Sequence, residues 1–392
     1  MSAPGRGGAL LALALTACGS SPRPASRPAE QTRRALVEQT ASCIGARIAR
    51  AHEAIEALAR TAQAAVDDGG VDALQSARRA WRDAIDAWQL LELHQVGPLA
   101  RADRPGGRDL RDEIYSWPLS SRCLVDQTIV SGAFDGDGLA AALVSARGLD
   151  AVEYLLFHEG SDNGCPPTNV INSSGSWAAL GEEERSIRRR RYAASAARLV
   201  AMQSARLVEA WGDGARGHHA ALVTAGAEGS PYASVAAAVN DLSDALFYVE
   251  TVLRDAKVGR PLGIWECTLP DCTVLAEAPY ARAGLRMIRA NLRALGLAIT
   301  GCAERPDAVG FEDLLRDVGA GGLADRLVAA HAAAMAAADA ITGEDLAEAI
   351  RGDRAAVLAL HERLKAITDL LKLEVVVVLG LELPPTVAGD ND

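Results

Sequence analysis

Apolar residues in this chain recur three and four positions apart and almost nowhere at every second position, which restricts it to helices that pack on one another. Ile44, Ile48, Ala51, Ile55 and Leu58 form one such stripe. Leu74, Trp81, Ile85 and Trp88 form a second, and Ile187, Ala194, Ala201 and Val208 a third. Ala and Leu dominate the composition, so helix propensity agrees with the spacing. Helices are predicted over about 31–66, 71–95, 119–131, 138–158, 180–212, 231–257, 279–300, 321–341 and 345–375, with Gly and Pro clusters such as Gly97-Pro98 and Pro166-Pro167 between them. The β-branched run from Val375 to Val378 has no second strand to pair with and reads as a buried helix end. The expected fold class is all-α, two packed helical bundles of about four long helices each.

The N-terminus carries an address. Arg6 precedes an apolar run from Ala9, which ends in Leu15-Thr16-Ala17-Cys18. This reads as a lipoprotein signal peptide over 1–17, too short to span a bilayer, with Cys18 as the lipidated first residue of the mature chain. Lipid on Cys18 would hold the protein at a bacterial membrane surface after export. Gly19, where an Asp would favour the inner membrane, points to the outer one. Residues 18–30, rich in Ser, Pro and Arg, read as a flexible tether. The remaining divisions are an N-terminal bundle over 31–212 and a C-terminal bundle over 231–385, about the Gly- and His-rich break between Trp211 and Pro231.

The formal net charge is −11, and losing residues 1–17 removes only Arg6. Nucleic acid is therefore not an expected partner, since phosphate contacts need a basic surface. Beyond Cys18 six cysteines remain: Cys43, Cys123, Cys165, Cys267, Cys272 and Cys302. An exported chain meets an oxidising compartment, and of the fifteen pairings that six cysteines allow only Cys267 with Cys272 is suggested by proximity. Paired CxxC spacing for zinc is absent from the sequence.

Chemistry concentrates in the segment from Gly148 to Phe157, where Asp150 and Glu153 lie three residues apart in an apolar helical stretch. Residues so spaced share a face, and that face continues the stripe of Leu139, Leu143, Ala146 and Phe157 that should seek a core. Buried carboxylates need a cation, an Arg or Lys partner, or a shifted protonation state. Glu92 interrupts the Trp81–Trp88 stripe in the same way, so the three acids could meet. Oxygen-only donors suit hard cations such as iron, calcium, magnesium or manganese. The alternative is a buried ion-pair network closed by Arg82, Arg101, Arg108 or Arg111.

Other motifs carry less. His52-Glu53-Ala54-Ile55-Glu56 lacks the second His of HExxH. His94, His218 and His219 read as exposed, and Arg188 to Arg191 as a solvated helix surface. No GxSxG nucleophile motif appears in the sequence.

The lipobox, Trp81 to Pro98 (W-x6-W-x3-E-x4-GP), Tyr115-Ser116-Trp117-Pro118, GLDAVEYLLF and Arg260-Pro261-Leu262-Gly263 together resemble the imelysin-like family of exported bacterial proteins, over about residues 33–383. The resemblance implies two helical bundles with a polar cleft near their contact, walled here by Tyr115 and Trp117. The family was first described as a metallopeptidase holding its metal by His and Glu, and relatives act in periplasmic iron uptake. Its GxHxxE signature falls on Gly148, Asp150 and Glu153, with Asp150 where the family has His. Loss of that nitrogen ligand disfavours zinc-assisted hydrolysis and spares binding of iron or another hard cation. The resemblance thus implies a lipid-anchored, non-enzymatic binder with Asp150 and Glu153 as ligands, Glu92 as a third, and iron-uptake proteins as partners. A metallopeptidase would need a His brought in by folding, such as His94 or His158. An interaction module would need the acids only as structure.

Overall fold

The computed structural model describes residues 29–212, 214–302, 307–384 and 387; the signal peptide, Cys18 and residues 19–28 of the tether lie outside the described residues. Among the described residues there is no strand, and no helix is long and apolar enough to cross a membrane.

The first bundle is built on α1 (Ala29–Asp67), whose residues Ile44, Ile48, Ala51, Ile55 and Leu58 are all buried. A turn at Gly69 returns the chain as α2 (Val71–Leu91), which lays Trp81, Ile85 and Trp88 against α1. The short α3 (Leu149–Phe157) and the long α4 (Gly181–Gly212) complete it, α4 packing on both α1 and α3. The second bundle comprises α5 (Val235–Tyr248), α6 (Gly284–Thr300), α7 (Gly321–Ala340) and α8 (Arg354–Leu370). Its helix starts are set by side chains: Ser234 accepts the amide of Ala237, and Asp353 that of Ala356. The bundles join where α2 meets α6 and α1 meets α5, and one continuous apolar core runs through both.

Between α5 and α6 the chain departs from the single helix predicted over 231–257. Val249–Gly259 winds as a π-helix of eleven residues, and every residue from Leu253 to Gly259 is buried. An element enclosed on all sides would ordinarily be apolar, yet this one carries Glu250, Arg254, Asp255 and Lys257 inward. Propensity cannot distinguish α from π winding, which is why the sequence reads only as helix; extended π winding is rare and concentrates at functional sites.

Other expectations are corrected. The helix predicted over 138–158 is broken: Val144–Ala146 is a single 3-10 turn, and Gly148, at φ +97°, separates it from α3. Leu143, assigned to the buried stripe, is exposed. In α4 the expected stripe holds at Ala194, which is buried, but Val208 is exposed, and the buried face runs through Tyr192, Ala193, Ala196, Ala197, Val200 and Leu207. Arg189, in the run read as solvated, is buried and donates to the carbonyls of His158 and Gly160. Of the valine run, Val375 and Val376 are buried while Val377 and Val378 are exposed.

The six cysteines form three bridges, Cys43–Cys302, Cys123–Cys165 and Cys267–Cys272. Cys43–Cys302 ties α1 to the segment after α6 across 259 residues. Crosslinks that close long loops restrict the unfolded chain most, so the double replacement Cys43→Ser with Cys302→Ser is expected to lower stability by about 2–4 kcal/mol. The measurement is the urea midpoint, with helix content by circular dichroism unchanged in native buffer.

Candidate functional site

α3 starts abruptly, and its start makes the site. Gly148 takes a backbone conformation open to few other residues, and a Cβ there would lie 2.8 Å from Asp150 Oδ1 and 3.3 Å from the carbonyl of Ile114. The glycine thus lets the Asp150 carboxylate sit against the helix start. Asp150 accepts the hydroxyl of Ser116 at 3.0 Å, and Ser120 and the first-turn amides of α3 lie close enough to favour its charged form. Trp81 Nε1 donates to the carbonyl of Leu149 at 2.7 Å and anchors α3 to α2.

One turn along, Glu153 is 3% exposed. Its Oε1 accepts the amides of Tyr280 and Ala281, both at 2.7 Å, from the loop that precedes α6. No hydrogen bond to Oε2 is formed among the described residues. Both acids line a cavity of about 240 Å³, walled by Trp81, Tyr115, Trp117 and Tyr280, with Arg122 and Arg260 also at its lining. Neither acid pairs with a cation among the described residues. Burial pushes Asp150 up to about 6 against the pull of its hydroxyl and amide donors. Burial likewise pushes Glu153 up to about 8, the two amides opposing and the negative charges of Asp150 and Glu277 adding to the rise.

The two outcomes weighed for the acids therefore divide between them. Asp150 and Glu153 face a cavity, whereas Glu92 belongs to a separate buried network. Its oxygens meet Arg111 at 2.6 Å and Lys257 at 3.1 Å and it does not line the cavity, so Glu92 is corrected from a third ligand to an ion-pair member. Burial would raise its pKa, but Lys257 and Arg111 outweigh that and hold it below the usual carboxylate range. Lys257 is wholly buried and also reaches Glu277 at 3.0 Å, Gln89 at 2.7 Å and Asn291 at 2.8 Å. Tyr115 donates to Glu277 at 2.6 Å, so this residue of the cavity wall joins the two clusters.

The histidines lie elsewhere. His94 was read as exposed on the helix phase of α2, but α2 ends at Leu91 and the chain turns inward, leaving His94 buried beside Arg47 and pushed down to about 3. His218 is also buried, against Gly97 and Gly106, and bonds to the Tyr232 hydroxyl at 2.9 Å. His158 stacks on Tyr154, with its Nε2 beside Arg122 at 3.0 Å and Asp162 at 3.3 Å. Among the described residues no histidine lines the cavity.

Sequence reasoning missed Ser116, Ser120, Lys257, Arg260 and Glu277. Lys257 did carry a signal, being one of three lysines among forty basic residues. Ser116 and Arg260 stand in motifs that carry the family resemblance but have no role assigned by it, and Ser120 and Glu277 carry no signal, because their partners are distant in the chain.

The imelysin family model matches residues 44–373, and the chain belongs to that family. Two solved structures share the fold. A protein described as an iron-regulated protein A precursor from Parabacteroides distasonis matches with a TM-score of 0.70 at 17% identity, covering 91% of this chain and 96% of that one. An imelysin-like protein from Psychrobacter arcticum matches with a TM-score of 0.67 at 21% identity, covering 91% of this chain and 98% of that one. No curated protein matches the chain.

The donor set tests the metal that the family implies. Among the described residues no three His, Cys, Asp or Glu side chains gather closely enough to hold a metal ion. A zinc centre built from three protein ligands does not fit two carboxyls and two serine hydroxyls. A hard cation that brings ligands of its own does fit.

Proposed function

We propose that this protein binds a small cation-containing ligand in the Asp150–Glu153 cavity, as an exported, lipid-anchored carrier in iron acquisition rather than as an enzyme. The observation that carries this reading is a pair of buried carboxyls that face a cavity and pair with no cation among the described residues. Such groups are costly to the fold, and a ligand that brings positive charge offsets the cost. The fold shared with the iron-regulated protein A precursor of Parabacteroides distasonis supports iron as the cargo. The sequence Leu15-Thr16-Ala17-Cys18 supports the anchor, and Gly19 the outer membrane. Iron-uptake proteins are the partners this reading implies. A metallopeptidase would need a histidine at the cavity, and His94 and His158 are held by Arg47 and by Arg122 with Asp162.

Calorimetry with ferrous iron under anaerobic conditions, and with manganese(II) in air, tests the reading. Saturable binding is expected in the mature protein and is expected to vanish in the Asp150→Ala, Glu153→Ala double variant. Ser116→Ala, which removes a hydroxyl bonded to Asp150, is expected to weaken binding by about 10–100-fold. Equal binding by the wild type and the double variant would sink the proposal.

A further inference from the structure

The cavity holds charge of both signs. Arg260 follows directly on the π-helix and lines the same space as Asp150 and Glu153. Its Nε is buried without a hydrogen-bond partner, and no carboxylate among the described residues pairs with its guanidinium. Arg122, the other arginine at the cavity, is committed: it donates to the Tyr154 hydroxyl at 3.0 Å and pairs with Asp162. Arg260 is thus the one arginine at this cavity whose guanidinium no side chain among the described residues engages.

The coordination requirement comes from the opposite direction. Hard cations take about six oxygen ligands or more. The chain offers Glu153 Oε2 and the Asp150 carboxylate, whose oxygens already accept from Ser116. Most of the coordination sphere must therefore arrive with the cation. Two ionised carboxylates neutralise a divalent cation, which leaves the positive charge of Arg260 uncompensated inside the cavity. A guanidinium offers a planar fork that matches a carboxylate with two parallel hydrogen bonds. The remaining wall of Trp81, Trp117 and Tyr280 is aromatic and suits carbon atoms better than bulk water. At about 30 Å³ per water molecule, 240 Å³ holds far more than one hydrated ion's missing ligands and accommodates a small organic acid.

We infer that the ligand is a hard cation already chelated by a small hydroxycarboxylate, with Asp150 and Glu153 on the cation and Arg260 on a free carboxylate of the chelator. This rests on the cation-binding reading above and adds the class of its cargo. Arg260 is then the residue that selects chelated over free cation.

Equilibrium dialysis of the mature protein with manganese(II) and radiolabelled citrate tests it, with both components counted. Citrate is expected to be retained in step with manganese, and to fall by about tenfold or more when manganese is omitted or in Arg260→Gln. Arg260→Gln is expected to keep its manganese when citrate is absent, which also shows that the variant folds. Arg260→Lys, which keeps the charge without the fork, is expected to retain citrate at an intermediate level. With both components supplied, retention of manganese alone by the wild type, or citrate retained equally by Arg260→Gln, overturns this inference alone. Retention of neither component by the wild type overturns the cation-binding reading together with it.

Discussion

Replacing Lys257 with methionine is expected to lower the free energy of unfolding by about 3–5 kcal/mol, the cost of stripping a buried ion-pair network of its cation. The ammonium is wholly enclosed and lies within 3.1 Å of Glu92 and within 3.0 Å of Glu277. Methionine fills the space of the chain but leaves Glu277 with only the Tyr115 hydroxyl and Gln89, and Glu92 with only Arg111 among charged partners. Urea unfolding followed by circular dichroism reads the loss directly. Adding Glu277→Gln to the variant removes one of the stranded charges, so the pair is expected to recover part of the stability. A single-variant loss below about 1 kcal/mol would place Lys257 in the class of solvent-screened pairs and contradict its enclosure.

That network has a reach beyond its own energy. It joins α2 through Gln89 and Glu92, the π-helix through Lys257, α6 through Asn291 and the loop before α6 through Glu277. The same loop supplies the amides of Tyr280 and Ala281 to Glu153. A loosened network therefore frees one wall of the cavity, and weaker ligand binding is expected to accompany the loss of stability in Lys257→Met.

What could be read from the sequence follows from how local each signal is. The stripe of α1 was legible because a 39-residue helix repeats its period many times against one core. The burial of Asp150 and Glu153 was legible from their i, i+3 spacing within α3, although the longer helix invoked to support it is broken at Gly148. Glu92 was legible as a buried acid, but its partner Lys257 lies 165 residues away, and no local pattern separates an ion pair from a ligand. His94 was misplaced because a helix phase was extended past the helix end. Arg260 reads as a motif residue beside Pro261, and its want of a partner among the described residues shows only where distant segments close one cavity around it.

Glu153→Gln is expected to stabilise the ligand-free protein at high pH and leave it nearly unchanged at low pH. In the folded chain Glu153 holds its proton up to about 8, against an ordinary value of 4.5. Between those values the folded state binds more protons than the unfolded one, so wild-type stability falls as pH rises through that window. Below it both states are protonated and the difference disappears. The full span corresponds to on the order of 5 kcal/mol above pH 8, an upper bound because the loop can relax around an ionised side chain. Asp150, raised to about 6, adds a smaller decline at lower pH that the substitution leaves in place. The groups around Glu153 explain why nothing cancels its charge: Asp150 from α3 and Glu277 from the loop repel it, two amides stabilise it, and Arg122 and Arg260 line the cavity without pairing with it. Urea unfolding of both proteins at pH 5 and pH 9 measures the divergence. A difference that stays flat across that range would mean that Glu153 ionises as freely as it does in water, and that its burial imposes no cost for a bound cation to offset.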